Sequence, residues 1–310
     1  MHPTVIRSSS PSMEHNGAMS ILLTGATGYV GQHIKTVFDS EWQILGVSQH
    51  GDIDQNIAAC DLSDEHAVVE LAQTVSPDVI IHAAGDKNIQ RCERDPSLAY
   101  QANVQTTLNL IKAFPDAKII YISSDYVFSG DRGGYRETDP ISPLTVYGKT
   151  KASAELNGLI LSDQFYVLRL SALYDGEATF LRFLREQLQS GKAVDCFDDA
   201  FYSPTFYKDF LNVLDKLVMT PKLSNRVYHV CGQRISRFFF AKLFARSAGF
   251  DDELILQASR LHGEVPFLFG DLSLENTMTC ESLDVTIGTH HAYLNSLEVL
   301  DENSIAVSNL

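Results

Sequence analysis

Short apolar runs rich in β-branched residues alternate along this chain with longer amphipathic stretches. Runs at 20–24, 43–48, 57–59, 79–82, 118–123 and 165–170 have the length and composition of buried strands. Between them, residues 31–38, 64–75, 96–114 and 145–161 carry apolar positions at helical spacing. Strands that are apolar on both faces and alternate with helices predict a parallel sheet covered on both sides. Right-handed crossovers then give an α/β fold, a doubly wound Rossmann sheet over residues 19–170. After Leu170 the rhythm changes. Helices expected at 179–190, 205–219 and 236–248 alternate with short strands at 193–196 and 227–230. This pattern predicts a smaller C-terminal α/β unit over 171–297, partly interwoven with the first. Residues 1–18 are polar and lack the apolar core of a signal peptide, so they read as a disordered extension, with Met13 or Met19 as alternative starts. Residues 298–310 read as a loose tail.

Composition narrows the function. The chain has 310 residues and is 45% hydrophobic, with a mean hydropathy of −0.05, as in soluble globular proteins. No apolar run reaches the ~18 residues of a membrane span. A net charge of −15 without a basic cluster argues against nucleic-acid and anionic-membrane partners. An anionic ligand remains compatible, because backbone amides and a few local cations can hold phosphate. Five scattered cysteines without a CxxC pair read as reduced thiols of a cytoplasmic protein, and no metal site is expected. His290 and His291 read as surface residues, and Phe238, Phe239 and Phe240 as core.

Two motifs carry candidate chemistry. The first strand runs into Gly25-Ala-Thr-Gly28-Tyr-Val-Gly31 and then a helical pattern, the context of a dinucleotide-binding turn. Gly25 permits the tight turn, Gly28 lets backbone approach a pyrophosphate, and Gly31 lets helix and strand pack closely. The helix N-terminus faces the phosphate charge. Further on, Tyr147 and Lys151 stand four apart, on one face of a predicted helix. An ammonium beside a phenol lowers the phenol's pKa, which would suit Tyr147 to proton transfer near neutrality. Ser124 follows the run 118–123, where a hydroxyl can point into the crevice at the strand ends. These three groups can move a proton on or off a carbinol oxygen. The matching hydride requires a cofactor. The second strand ends in Ser48-Gln-His50, with neither the acid that binds a ribose 2′-hydroxyl nor an arginine, so NADP is preferred and NAD is the alternative.

The glycine turn and the Tyr147/Lys151 pair resemble the extended short-chain dehydrogenase/reductase family. The segments SSDYVFSG (Ser123 to Gly130) and YRETDPISPLTVYGKTK (Tyr135 to Lys151) are similar to one branch, the dTDP-4-dehydrorhamnose reductases, which also includes the regulatory β subunit of methionine adenosyltransferase. The resemblance spans about Met19 to Leu283 and implies a cofactor-binding domain over 19–170 with a substrate domain over 171–297. It implies that Tyr147 donates a proton, Lys151 binds the nicotinamide ribose and Ser124 holds the carbonyl oxygen. By the same analogy Thr27, Tyr29 and Val30 in the glycine turn, Ser48, and the small residues Ala83, Ala84 and Gly85 lie against the cofactor. Asp61 and Leu62 would meet the adenine, although they equally suit a helix start before Asp64. Asn103 would be a structural or cofactor-side polar residue. Asp125 would contact the sugar, or simply form a turn. Ser203 and Thr205 suit a helix cap. Ala172 stands where the rhamnose-type enzymes tend to carry Trp, which puts dTDP-4-dehydrorhamnose itself in doubt.

The implied activity is NAD(P)H-dependent reduction of a nucleotide-linked 4-keto-6-deoxy sugar. The alternatives are an NADP-binding regulatory subunit and a nucleotide-sugar epimerase or dehydratase; Asp125-Tyr126 argues against the last, since dehydratases usually place an Asp-Glu pair there. A nucleotide-sugar substrate and a two-fold homodimer through helices 96–114 and 145–161 are the expected partners.

Overall fold

The computed structural model describes residues 19–262 and 269–297. The expected extension (1–18) and tail (298–310) lie outside the described residues. The first half of the chain alternates β1 (Ser20–Thr24), α1 (Tyr29–Phe38), β2 (Gln43–Ser48), β3 (Ile57–Ala59), α2 (Glu65–Thr74), β4 (Val79–His82), α3 (Ile89–Arg94), α4 (Pro96–Tyr100), α5 (Thr106–Ala113), β5 (Lys118–Ser124), α6 (Val146–Leu161) and β6 (Phe165–Leu170). The second half adds β7 (Leu173–Tyr174), α7 (Thr179–Gln189), β8 (Val194–Phe197), β9 (Phe201–Tyr202), β10 (Thr205–Phe206), α8 (Tyr207–Met219), β11 (Val227–Val230), β12 (Ile235–Ser236), α9 (Arg237–Ser247), β13 (Ile255–Ala258) and α10 (Thr277–Leu283).

Seven parallel strands form the central sheet in the order β3-β2-β1-β4-β5-β6-β11. This is the Rossmann arrangement, with its switch point between β1 and β4. β4 and β6 are buried along their whole length, which fits their largely apolar sequences; the polar residues they hold, His82 and Arg169, are buried with partners. Ile34, Phe38, Phe210, Leu214 and Leu217 cover one face of the sheet, so α8 from the second half shares that face with α1. Leu110, Phe114, Tyr121 and Phe165 fill the other. A second core joins Leu181 and Leu184 of α7 to Phe240 and Phe244 of α9 and Ile255 of β13. β11 closes the central sheet by pairing with β6, Val227 opposite Val167.

Four expectations need correction. Residues 96–114 do not form a uniform α-helix: α4 passes into α5 through a π-type turn, Gln101–Gln105, with Asn103 inside it. Ser203 and Thr205 cap nothing. Thr205 lies in β10 and donates to Val230 O at 2.9 Å, Ser203 Oγ accepts from Leu274 N at 2.9 Å, and α8 starts only at Tyr207. His290 is buried rather than at the surface, placed between the Tyr174 hydroxyl (3.0 Å) and Gln233 O (2.8 Å). Of the three consecutive phenylalanines Phe240 is in the core and Phe238 packs partly against it, whereas helical rotation turns Phe239 outward, 59% exposed.

Beneath β5 and β6 lies a buried ion pair. Arg169 and Glu155 meet through three N···O contacts of 3.1, 3.1 and 2.6 Å, and Ser123 also donates to Glu155. Among the described residues no helix is long and apolar enough to cross a membrane.

Candidate active site

The switch point is braced by a buried polar chain. Thr24 Oγ1 lies 2.8 Å from His82 Nδ1, and His82 Nε2 lies 3.0 Å from Thr107 Oγ1 on α5. Complete burial pushes His82 down to about 3, so the ring is neutral and bonds as a structural link. Above it the glycine turn folds as its spacing requires. Gly25 has φ +68°, and a Cβ there would lie 2.8 Å from Ala84 N. A Cβ on Gly31 would lie 2.3 Å from Gly25 O, so only hydrogen lets α1 close over the turn. Thr27 and Gly28 are exposed at the start of α1, followed by the half-buried Tyr29 and Val30. Tyr29 is also tied to the second half of the molecule: its hydroxyl donates to Asp175 Oδ1 at 2.6 Å, and His33 meets the other oxygen at 3.1 Å.

The loop leaving β4 approaches the same space. Ala83 and Ala84 are followed by Gly85 with φ +154°, whose missing Cβ would stand 2.6 Å from Asn103 Oδ1. Asn103 fixes this loop. Its Oδ1 accepts from Asp86 N at 2.7 Å, and its Nδ2 donates to Asp86 O at 3.1 Å and to Thr150 Oγ1 at 2.9 Å. Because Thr150 lies on α6 between Tyr147 and Lys151, one amide ties the loop to the helix of the catalytic candidates. The π-type turn rotates Asn103 into that position, a common use of such turns at functional sites. Asp86 also pairs with Arg91, which together with the Asn88 amide holds its carboxyl below the usual range against the opposing effect of burial.

A cavity of about 640 Å³ opens beside these loops, and Ser124, Tyr147 and Lys151 line it together. Ser124 ends β5; Tyr147 and Lys151 share one face of α6, capped by Thr145 accepting from Gly148 N at 3.0 Å. The expected effect of the lysine on the phenol is not seen. Burial raises the Tyr147 pKa well above the ordinary tyrosine value, opposed by the Ser124 hydroxyl and reinforced by the Asp125 charge. Lys151 is itself pushed down to about 7 by burial, although Glu155 favours its charged form. Its Nζ donates to Ile122 O at 2.7 Å and sits 4.0 Å above the Tyr121 ring. Spacing alone placed the two groups on one face; burial, invisible in spacing, sets the direction of the shift.

Asp125 is buried at the cavity wall. It accepts from Ser124 Oγ at 2.9 Å and from Ser171 Oγ at 2.7 Å. Burial raises it to about 6 despite both hydrogen bonds and the nearby Arg237. Ser124 therefore sits in a chain Ser171–Asp125–Ser124 that fixes its rotamer.

Residues 19–262 match the family described as the RmlD substrate binding domain. The chain belongs to this family. Among curated relatives of this RmlD-type chain, a dTDP-4-dehydrorhamnose reductase of Aggregatibacter actinomycetemcomitans is 30% identical over 69% of the chain and 73% of its own length. The methionine adenosyltransferase 2 subunit β of Xenopus laevis is 33% identical over 68% of the chain and 66% of its own length. Among solved structures, the dTDP-4-dehydrorhamnose reductase of Bacillus anthracis in complex with NADP superimposes with a TM-score of 0.80 at 24% identity, covering 91% of this chain and 99% of that one. A hypothetical dTDP-4-dehydrorhamnose reductase from Sulfolobus tokodaii gives 0.78 at 27% identity, with 87% and 98% covered.

In this RmlD-type site the residues expected from sequence divide into two groups. Tyr29, Val30, Ala83, Ala84, Gly85 and Asn103 border the cavity with the three catalytic candidates, and Asp125 and Ala172 lie on the same lining. Gly25, Thr27, Gly28, Gly31, Ser48, Asp61 and Leu62 lie outside the cavity lining, along the sheet edge and adjoining loops. There Ser48 O accepts from Cys60 N at 2.8 Å, and Asp61 accepts from Ser63 Oγ (2.7 Å) and Ser63 N (3.0 Å). The Leu62 side chain is buried in the core beneath α2, which leaves backbone rather than side chain for any ligand. Asp64, not Asp61, caps α2, through His66 N at 2.9 Å. Sequence reasoning missed Ser171, Asp86 and Arg237. Ser171 had a signal, a serine directly after a largely apolar strand; Arg237 had only its place after a capping serine.

Proposed function

We propose that the protein is an NADPH-dependent reductase of a nucleotide-linked 4-keto-6-deoxy sugar, with residues 19–170 as its cofactor half and 171–297 as its substrate half. The observation that carries this reading is the convergence of Ser124, Tyr147 and Lys151 on one cavity beside a glycine turn. The residues fit a dinucleotide: Gly25, Gly28 and Gly85 carry no side chain that could stand between backbone and ligand, and the Lys151 ammonium lines the cavity. Gly28 at the α1 N-terminus would face the pyrophosphate and Lys151 would hold the nicotinamide ribose. Asp61 and the backbone at Leu62 would meet the adenine. When bound, the cofactor supplies a hydride.

The rest of the chemistry belongs to the chain. Tyr147 keeps its proton through the neutral range and gives it to the ketone oxygen. Ser124, its rotamer set by Asp125 and Ser171, holds that oxygen. With Ala172 in place of a bulky aromatic, the sugar side of the cavity admits a substrate other than dTDP-4-dehydrorhamnose. NADP is favoured over NAD by Ser48 and His50 at the end of β2, and the Bacillus anthracis relative is in complex with NADP. Exposed Leu98, Tyr100, Leu156 and Ile160 on α4 and α6 support a two-fold homodimer, and five free cysteines support a cytoplasmic site of action.

Likeness to methionine adenosyltransferase β subunits supports a second reading, a regulatory subunit that binds NADP without turnover. Asp125-Tyr126 after Ser124 keeps a dehydratase in third place. The test is to mix the full chain with NADPH and dTDP-4-keto-6-deoxyglucose, alone and with its 3,5-epimerase, and to follow nicotinamide absorbance. Oxidation is expected, and Tyr147→Phe should slow it by about 10²–10⁴-fold. Oxidation that survives in Tyr147→Phe would refute the assigned proton donor. NADPH binding without oxidation, joined to co-purification with a synthetase, would favour the regulatory reading.

A further inference from the structure

Arg237 is the first residue of α9, after the cap Ser236, which accepts from Phe239 N at 3.2 Å. It lines the cavity, with its guanidinium 5.0 Å from the Tyr202 ring centroid and 5.8 Å from that of Phe180. It lies close enough to Asp125 and Tyr126 to favour their charged forms. Several other arginines of this acidic chain are paired, among them Arg169 with Glu155, Arg91 with Asp86 and Arg234 with Asp271 at 2.7 Å. Among the described residues, no carboxylate stands within ion-pairing distance of Arg237 and no acceptor takes its side-chain N–H groups.

Holding a guanidinium in a cavity wall costs free energy that an anion or an aromatic face must offset. Tyr202 and Phe180 provide part of that, about 0.5–1 kcal/mol for a partly exposed cation–π contact. The five N–H donors remain, in a fork that matches phosphate oxygens. A neutral sugar ketone gives them no charge to neutralise. We infer that Arg237 binds the phosphate oxygens of a nucleoside-diphosphate carrier and so sets the preference for nucleotide-linked over free sugars. This rests on the reductase reading for the substrate class, but the interaction is a binding event and can be measured without turnover.

The test uses the full chain saturated with NADPH, titrated calorimetrically with dTDP and UDP, with thymidine as the uncharged control. Arg237→Met keeps an apolar stem against the two rings, and Arg237→Lys keeps the charge without the fork. The wild type should bind at least one diphosphate and not thymidine. Arg237→Met should weaken that binding at least 10-fold and Arg237→Lys less so, with NADPH affinity unchanged in both. In turnover, Arg237→Met should raise KM and leave kcat within a few fold. A wild type that binds neither diphosphate, or an Arg237→Met that binds as tightly as wild type, would overturn the inference. Arginine-dependent diphosphate binding without any ketone reduction would uphold it while the reductase reading fails.

Discussion

Asn103→Ala is the substitution whose effect can be worked most fully from the structure. It removes three hydrogen bonds: Asp86 N–H to Oδ1 (2.7 Å), Nδ2 to Asp86 O (3.1 Å) and Nδ2 to Thr150 Oγ1 (2.9 Å). Two of the freed partners have other contacts. Thr150 Oγ1 still donates to Tyr147 O at 2.8 Å, and Asp86 O still faces the Cys92 thiol at 3.6 Å. The Asp86 amide is left buried with no acceptor. One orphaned donor costs about 1–3 kcal/mol and each of the two ordinary bonds about 0.5–1.5 kcal/mol, for a total of about 2–6 kcal/mol. The effect should not stop at stability. The released loop carries Gly85, which lies against the proposed cofactor, so NADPH affinity should fall at least ~10-fold, equivalent to about 1.4 kcal/mol. Urea unfolding and a fluorescence titration with NADPH read the two effects. Asn103→Asp keeps the acceptor for Asp86 N but loses both donated bonds and places a carboxylate beside Asp86; it should do no better than alanine. A stability loss below ~1 kcal/mol together with unchanged NADPH affinity would refute the view that this amide holds the loop.

Three further outcomes follow from the same geometry. Lys151 has a folded-state pKa of about 7, below its ordinary 10.5, so the unfolded chain binds the extra proton and the penalty is complete below pH 7, shrinking as pH rises toward 10.5. Lys151→Met should therefore raise the melting temperature more at pH 6.5 than at pH 9.5 while abolishing reduction; an equal gain at both would contradict the buried-charge account. Gly31→Ala should unfold at lower temperature and lose NADPH binding, since its Cβ would meet backbone at 2.3 Å and overpacking costs about 1–3 kcal/mol, more than the ~1 kcal/mol gained in helix propensity; a melt like wild type would show that the turn can relax. Glu155→Gln leaves Arg169 buried without its counter-charge and should cost about 3–5 kcal/mol, whereas Glu155→Gln with Arg169→Met should recover most of it; urea midpoints of the single and double variants that add independently would deny the coupling.

The strands of the first half were legible because a strand buried on both faces is written as a mostly apolar, β-branched run. The sheet's seventh strand was not placed by sequence: Val227–Val230 has the right residues, but its partnership with β6 is non-local and no pattern records it. Within residues 96–114 the pattern showed a helix, and only Asn103, a poor helix former at its centre, marked the π-type turn. At the site, the four-residue spacing of Tyr147 and Lys151 was enough to put both in the cavity. The direction of the phenol's shift was not legible, because it depends on burial and on Lys151 donating to Ile122 O instead of to the phenol. The inward turn of Asp125 toward Ser171 was hidden for the same reason: its partner is forty-six residues away along the chain.

The placement of β11 has a consequence for biosynthesis. A ribosome emits this chain from the N-terminus, so β6 emerges with its outer edge unpaired and must wait through β7, α7, β8, β9, β10 and α8 before Val227–Val230 arrives to cover it. Throughout that interval the nascent protein displays an unpaired, largely apolar strand edge, the kind that recruits neighbouring chains. The face that α8 will cover waits with it. Passage through this stage, rather than the final stability of the sheet, should set the yield of soluble protein, and slowing translation between α7 and β11 or withdrawing chaperones should lower it.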